Sequence, residues 1–177
     1  MMIRNKLIHV CLALGFLLQA PAVLAQTDAR NLQVLARTLG FMDPPMRGRL
    51  MVGILYDPAS TAAQRDANAL SALFADGLRS GGLTLEAKLV PIGEAKEADV
   101  DLFLLSRGNG DRAAALAPIL KSRKLPCVSS DLDQVRAGNC TIGLQSAPRV
   151  EILLNTRLAA DTDMAFASVF RMMIKEL

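Results

Sequence analysis

The stretch RLMVGILYDPAS, Arg49 to Ser60, decides the fold. It opens as a short, nearly continuous apolar run, the pattern of a strand covered on both faces, and it stops at the turn pair Asp57-Pro58. Just beyond, Thr61 and Gln64 stand in capping-box spacing, and Ala63, Ala67, Leu70, Phe74 and Leu78 recur at helical intervals until Gly81-Gly82. The spacing predicts a long helix to Leu78. LTLEAKLVPI (83–92) then alternates apolar and polar residues as a strand with one wetter face, and VDLFLLS (100–106) is again a buried-strand pattern.

The alternation continues. Gly108-Asn109-Gly110 turns the chain into a helix over 111–124 that Pro118 kinks or restarts. LPCVSS (125–130) gives a short strand, DLDQVRAG (131–138) a short helix ended by Gly138, CTIGL (140–144) and RVEILLN (149–155) two further strands. Upstream, Leu32, Leu35, Ala36, Leu39 and Met42 mark a helix over 28–42 that ends at Asp43-Pro44-Pro45. Downstream, Thr162 is placed to cap a last helix with Phe166, Phe170, Met173 and Leu177 on one face, Met172 and Met173 serving as core filler. The expected fold is α/β: a single domain over 26–177 with a mainly parallel sheet, helices on both faces, and a mixed or antiparallel C-terminal strand pair.

Residues 1–25 read differently. Arg4 and Lys6 precede an apolar run from Leu7 to Leu18, and Val23-Leu24-Ala25 offers a small-residue cleavage site, the pattern of a secretory signal peptide. The run is shorter than the roughly 20 residues of a membrane-spanning helix. The expectation is therefore an exported, periplasmic protein, not membrane-embedded after cleavage. Loss of residues 1–25 removes two basic and no acidic residues, so the net charge falls from +3 to +1. A nearly neutral chain with one Tyr and no Trp lacks the basic and stacking surface of a nucleic-acid binder. His9, the only histidine, would go as well, and with it histidine-based acid–base chemistry, Ser-His-Asp catalysis and most zinc sites. No catalytic residue, metal site or cofactor is expected, and the chain is read as not an enzyme.

Cys127 and Cys140 would be the remaining cysteines. Two thiolates make half a zinc site, and their spacing is not that of an exchange-active C-x-x-C pair. In an oxidising compartment the plain expectation is a disulfide closing a loop of about fourteen residues, with a redox-switched pair and a metal clip as the other readings. Open sheets bind ligands beyond the carboxyl ends of their strands. There the candidates are Asp57 and Ser60, Ser106 and Arg107, and Ser129, Ser130 and Asp131. Serine and aspartate after a strand also cap helices. Arg107-Gly108-Asn109-Gly110 can form either an anion-binding nest or an ordinary turn.

Two resemblances arise from these segments. RLMVGILYDPAS followed by a helix, LTLEAKLVP and VDLFLLS resembles one lobe of the two-lobed substrate-binding components of ABC importers. The segments LGFMDPP, VGILYDP, LPCVSSDLDQVRAGNC and RVEILLNTRLAADTDMAFASVFRMM are similar to the YfiR family of periplasmic regulators. The second resemblance implies a regulator acting by protein–protein contact, its partner the periplasmic part of an inner-membrane sensor or diguanylate cyclase, held inactive in a redox- or stress-dependent way. The first implies a small-ligand-binding module. The regulator is the leading expectation and the module the alternative.

Overall fold

The computed structural model describes residues 20–177, with side chains described from Asp28 onward. Most of the expected leader, with His9 and Cys11, lies outside the described residues. Helix α1 (Ala20–Leu39) is followed by β1 (Gly48–Tyr56), α2 (Thr61–Ala72), β2 (Leu78–Ser80), β3 (Leu83–Pro91), β4 (Leu102–Leu105), α3 (Leu116–Arg123), β5 (Cys127–Ser129), α4 (Leu132–Arg136), β6 (Ile142–Gln145), β7 (Glu151–Leu154), α5 (Thr156–Asp161), α6 (Ser168–Arg171) and β8 (Lys175–Glu176). One eight-stranded sheet has the order β2-β3-β1-β4-β5-β6-β7-β8. Strands β3, β1, β4, β5 and β6 are mutually parallel, while β2 and β7 run antiparallel to β3 and β6. The chain is an α/β domain with a mostly parallel sheet and an antiparallel strand pair near the C-terminus. Among the described residues no helix is long and apolar enough to cross a membrane.

Alternation along β1 and β4 divides the core in two. Leu50, Val52, Ile54, Leu102 and Leu104 face α1 and α2, joined by Phe166 and Phe170. Leu55, Phe103 and Leu105 face α3 and α4, whose Leu116, Leu120, Leu132 and Val135 close the other side. Each such fully buried leucine contributes about 1.5–3 kcal/mol relative to exposure. Gly53 belongs to the second layer, where a Cβ would lie 3.0 Å from the Phe103 ring. The glycine in the decisive strand thus makes room for the largest buried side chain of its neighbour.

Five expectations need correction. The helix read as running to Leu78 ends at Ala72. Gly77 turns the chain with φ +69°, and Leu78 pairs with Leu85 in a hairpin whose two-residue turn is Gly81-Gly82. Its cap is also one residue earlier than the Thr61/Gln64 spacing indicates: the Ser60 hydroxyl accepts the Ala63 N–H at 3.2 Å, and Gln64 Nε2 donates to the Pro58 carbonyl. At the C-terminus, Asn155 caps α5 by accepting the Leu158 N–H, and Thr162 ends that helix, its hydroxyl donating to the Leu158 carbonyl at 2.9 Å. The last helix shrinks to Ser168–Arg171. Phe166 and Phe170 are buried as expected, whereas Met173 and Leu177 are exposed, and Met172 and Met173 are not core filler.

Helix 111–124 behaves as its proline requires. Gly110–Ala115 forms 3-10 turns and α3 starts at Leu116. Pro118 therefore falls in the first α-helical turn, where its missing N–H leaves no hydrogen bond unmade.

Candidate functional site

Strand order reverses beside β1: its crossover through α2 leads to β3 on one side, and the chain then returns to β4 on the other. Open α/β sheets hold ligands at such a switch point. The carboxyl ends of the adjacent strands β1, β4 and β5 bring the three groups of candidates to one edge: Asp57 and Ser60, Ser106 and Arg107, and Ser129, Ser130 and Asp131.

At the β1–β4 junction the polar groups bind one another. Asn109 Oδ1 accepts the Asp57 N–H at 2.6 Å, while Asn109 Nδ2 donates to the Ser106 carbonyl at 2.6 Å and its hydroxyl at 3.1 Å. The Ser106 hydroxyl donates to the Leu55 carbonyl at 2.8 Å. Asp57 Oδ1 accepts the Ala59 N–H, and the Ser60 hydroxyl reaches the Gly108 carbonyl at 2.8 Å. Asp57, Ser106 and Asn109 are all buried. Gly108, at φ +84°, comes so close to α2 that a Cβ would lie 3.1 Å from Ala62 Cβ and Ala63 N.

The nest read at Arg107–Gly110 already holds an anion of this chain. Asp66 Oδ2 accepts the Arg107 backbone N–H and Asp66 Oδ1 accepts its Nε–H, each at 2.7 Å. Asp28 Oδ2 takes a further hydrogen bond from the same guanidinium at 2.8 Å. One arginine thus ties α1 and α2 to the end of β4. Burial raises the Asp28 carboxyl above its ordinary range, against the lowering effect of Arg107, and Asp66 adds to the rise. For Arg107, burial works against the charge, but the hydrogen bonds and charges of Asp66 and Asp28 outweigh it and push its pKa up. Two carboxylates against one guanidinium leave the cluster acidic, so an external anion is disfavoured there.

At the β5 end, the buried Ser129 hydroxyl accepts the Asp131 N–H at 3.1 Å, and Asp131 Oδ1 caps α4 through the Asp133 N–H. Ser130 offers its carbonyl to Gln145 Nε2 at 3.4 Å. Asp131 is therefore the cap of α4, with the Ser129 hydroxyl holding the Asp131 N–H, and the Ser130 side chain plays no part in the cap. Cys127 and Cys140 form a disulfide with a Cα–Cα distance of 4.9 Å. It is buried under α4 and joins the starts of the neighbouring strands β5 and β6, away from the strand ends. Two open clefts lie elsewhere: one of about 400 Å³ beside Arg37, Met46 and Gly82, one of about 600 Å³ between α2 and β3. Neither is lined by a candidate residue.

The sequence places Asn109 only in the Arg107–Gly110 turn and gives no sign of the roles of Asp66 and Asp28. Asn109 was hidden inside a Gly-Asn-Gly turn, and the two aspartates stand on helices 41 and 79 positions away from Arg107. An arginine directly after a buried strand was the one available signal that acidic partners had to be nearby.

No family model matches the chain, and no curated protein matches its sequence. Solved structures do match. An ABC domain in complex with L-Trp from Streptococcus pneumonia shares 13% identity at a TM-score of 0.54, covering 86% of this chain and 59% of that one. A conserved domain protein from Vibrio cholerae shares 11% at 0.56, covering 84% and 59%. A ligand-free, open substrate-binding protein with adhesive properties from Clostridium difficile shares 10% at 0.52, covering 84% and 58%. The chain thus shares its α/β fold with these structures, and it spans less than two thirds of the length of each of them. These likenesses support the importer-lobe resemblance, while the YfiR resemblance rests on the sequence segments alone.

Proposed function

We propose that this chain is a non-enzymatic, exported binding module, built like one lobe of a substrate-binding protein, that holds a small polar ligand at the carboxyl ends of β1, β4 and β5. The observation that carries this reading is the meeting of three polar strand ends at the reversal of strand order, in a fold shared with binding proteins. The internal pairing of Arg107 with Asp66 and Asp28 narrows the ligand: neutral or amine-bearing molecules suit this edge better than anions. A thermal-shift screen with amino acids, amines, sugars and carboxylates tests it. A ligand present at 100 times its Kd adds about 2.7 kcal/mol to stability, and Asp131→Ala or Ser130→Ala is expected to reduce the shift. No stabilisation by any class, or equal stabilisation of these variants, would remove the site.

One observation favours a second reading, a regulator acting by protein–protein contact. Val169, Met172, Met173 and Leu177 expose apolar side chains on the C-terminal segment, beside which Phe41 stacks on Phe170. The partner implied by the YfiR resemblance, the periplasmic part of an inner-membrane sensor or diguanylate cyclase, would use that surface. Cross-linking from position 172 or 169 in cell envelopes tests it: capture of a cyclase supports the regulator, and failure to capture one under conditions where a ligand stabilises the chain favours the module.

A further inference from the structure

Of the six described methionines, Met51 lies in β1 and the other five lie in the loop after α1 and in the C-terminal segment, but they differ sharply in environment. Met42, Met46 and Met164 pack against the core layer under α1, and Met51 packs against the opposite layer. Met172 and Met173 are 80% and 64% exposed. Their side chains are therefore open to solvent-borne oxidants, whereas the other four are partly buried.

The backbone around the exposed pair is firmly held. Phe170 is buried and stacks on Phe41 with ring centroids 4.9 Å apart. Arg171 grips Glu176 through two hydrogen bonds of 2.6 and 3.0 Å, Lys175 pairs with Glu151 at 2.9 Å, and the Leu177 N–H donates to the Leu154 carbonyl. The two thioethers project from this anchored frame without carrying its packing. The disulfide is the opposite case: both sulfurs are buried and already oxidised.

We propose that Met172 and Met173 form an oxidation site, at which a peroxide converts the two thioethers to sulfoxides and turns the C-terminal apolar patch polar without unfolding the domain. At each sulfur the lone pair attacks one peroxide oxygen. The O–O bond breaks, an S–O bond forms, and after a proton shift the other oxygen leaves as water. The thioether loses two electrons and the peroxide gains them. Exposure sets which methionines react, and sulfoxide reductases reverse the change. Each sulfoxide places a strong hydrogen-bond acceptor on the exposed C-terminal segment that also carries Val169 and Leu177, so the segment loses apolar character. The proposal is independent of the ligand reading.

The test is a hydrogen peroxide time course on the purified chain, quenched and digested with trypsin, followed by mass spectrometry. Cleavage after Arg171 and Lys175 isolates both methionines in one short peptide. That peptide is expected to gain about 16 Da per methionine well before the peptides carrying Met42, Met46, Met51 and Met164, which take up oxygen only slowly, with the thermal midpoint unchanged. In a Met172→Leu/Met173→Leu variant the fast uptake disappears and the slow uptake at the other four sites persists. Equal rates at all six positions, fast uptake surviving in the double variant, or loss of the folded state together with the first two oxygens would each overturn the proposal.

Discussion

Asn109 Oδ1 accepts the backbone N–H of Asp57 at 2.6 Å, across 52 residues of chain. This single carboxamide closes the junction between β1 and β4, since its Nδ2 simultaneously serves the Ser106 carbonyl. Both partners are buried, so removing the carboxamide leaves a donor and an acceptor without compensation. Asn109→Ala is expected to cost about 2–3 kcal/mol. In Asn109→Asp an oxygen replaces the Nδ2 donor and faces the Ser106 carbonyl, so at neutral pH the loss should be at least as large. Urea unfolding reads both; an unchanged midpoint would show that water satisfies these groups.

The disulfide gives a prediction of a different kind. It closes a loop with a sequence separation of 13 residues, for which chain-entropy reasoning gives about 3 kcal/mol. Cys127→Ala/Cys140→Ala should lower stability by that order while preserving the fold. Because both sulfurs are buried beneath α4, mild reductant should leave the bridge intact in the native chain and cleave it in urea. Ready reduction without denaturant would revive the redox-switched reading of this pair.

Much of the architecture was legible because it depends on local periodicity. The apolar runs at 49–57 and 100–106 and the alternation at 83–92 are β1, β4 and β3, as their patterns require. The pattern failed where a short element borrowed the period of another. Phe74 and Leu78 extend the helical spacing of α2, yet three residues suffice for the β2 hairpin once Gly77 turns and Gly81-Gly82 closes it. Likewise Asn155 looked like the end of a strand and is also the cap of α5. At the candidate site, the strand-end serines and aspartates could be located by type and position. Their partners could not, because Arg107 meets Asp28 and Asp66 through tertiary packing of two helices on one strand end.

That triad carries a pH dependence. Burial raises the folded Asp28 carboxyl above its unfolded value. Its contribution is thus most favourable below the unfolded pKa, about 3.9, and is lost as pH rises through the folded pKa. Relative to the native chain, Asp28→Asn should therefore gain stability between acidic and neutral pH. Arg107→Met has the opposite character, since it strands two largely buried carboxylates. Breaking a buried pair costs about 3–5 kcal/mol; with the arginine side chain 39% exposed, about 2 kcal/mol is the discounted expectation. Thermal melts of both variants at pH 4 and pH 7 separate the effects. A flat difference for Asp28→Asn would mean that its carboxyl is not raised in the folded chain.

Gly143 tests the packing that holds the β5–β6 crossover in place. It lies in β6, paired with Leu153 of β7. A Cβ there would sit 2.6 Å from Leu132 Cδ2 and 3.2 Å from both Leu153 Cβ and Val135 Cγ2. The leucine tip can swing aside, but Leu153 Cβ is fixed to the neighbouring strand, so α4 has to lift. Gly143→Ala is expected to cost about 1–3 kcal/mol by overpacking. In a Leu132→Ala background the same substitution should cost less, because the nearest clash is gone. Gly82→Ala is the control, since nothing lies within 4 Å of its Cβ position, and it should change stability by less than about 1 kcal/mol. If Gly143→Ala were as harmless as the control, α4 would have to rest on β6 more loosely than the buried Leu132 and Val135 indicate.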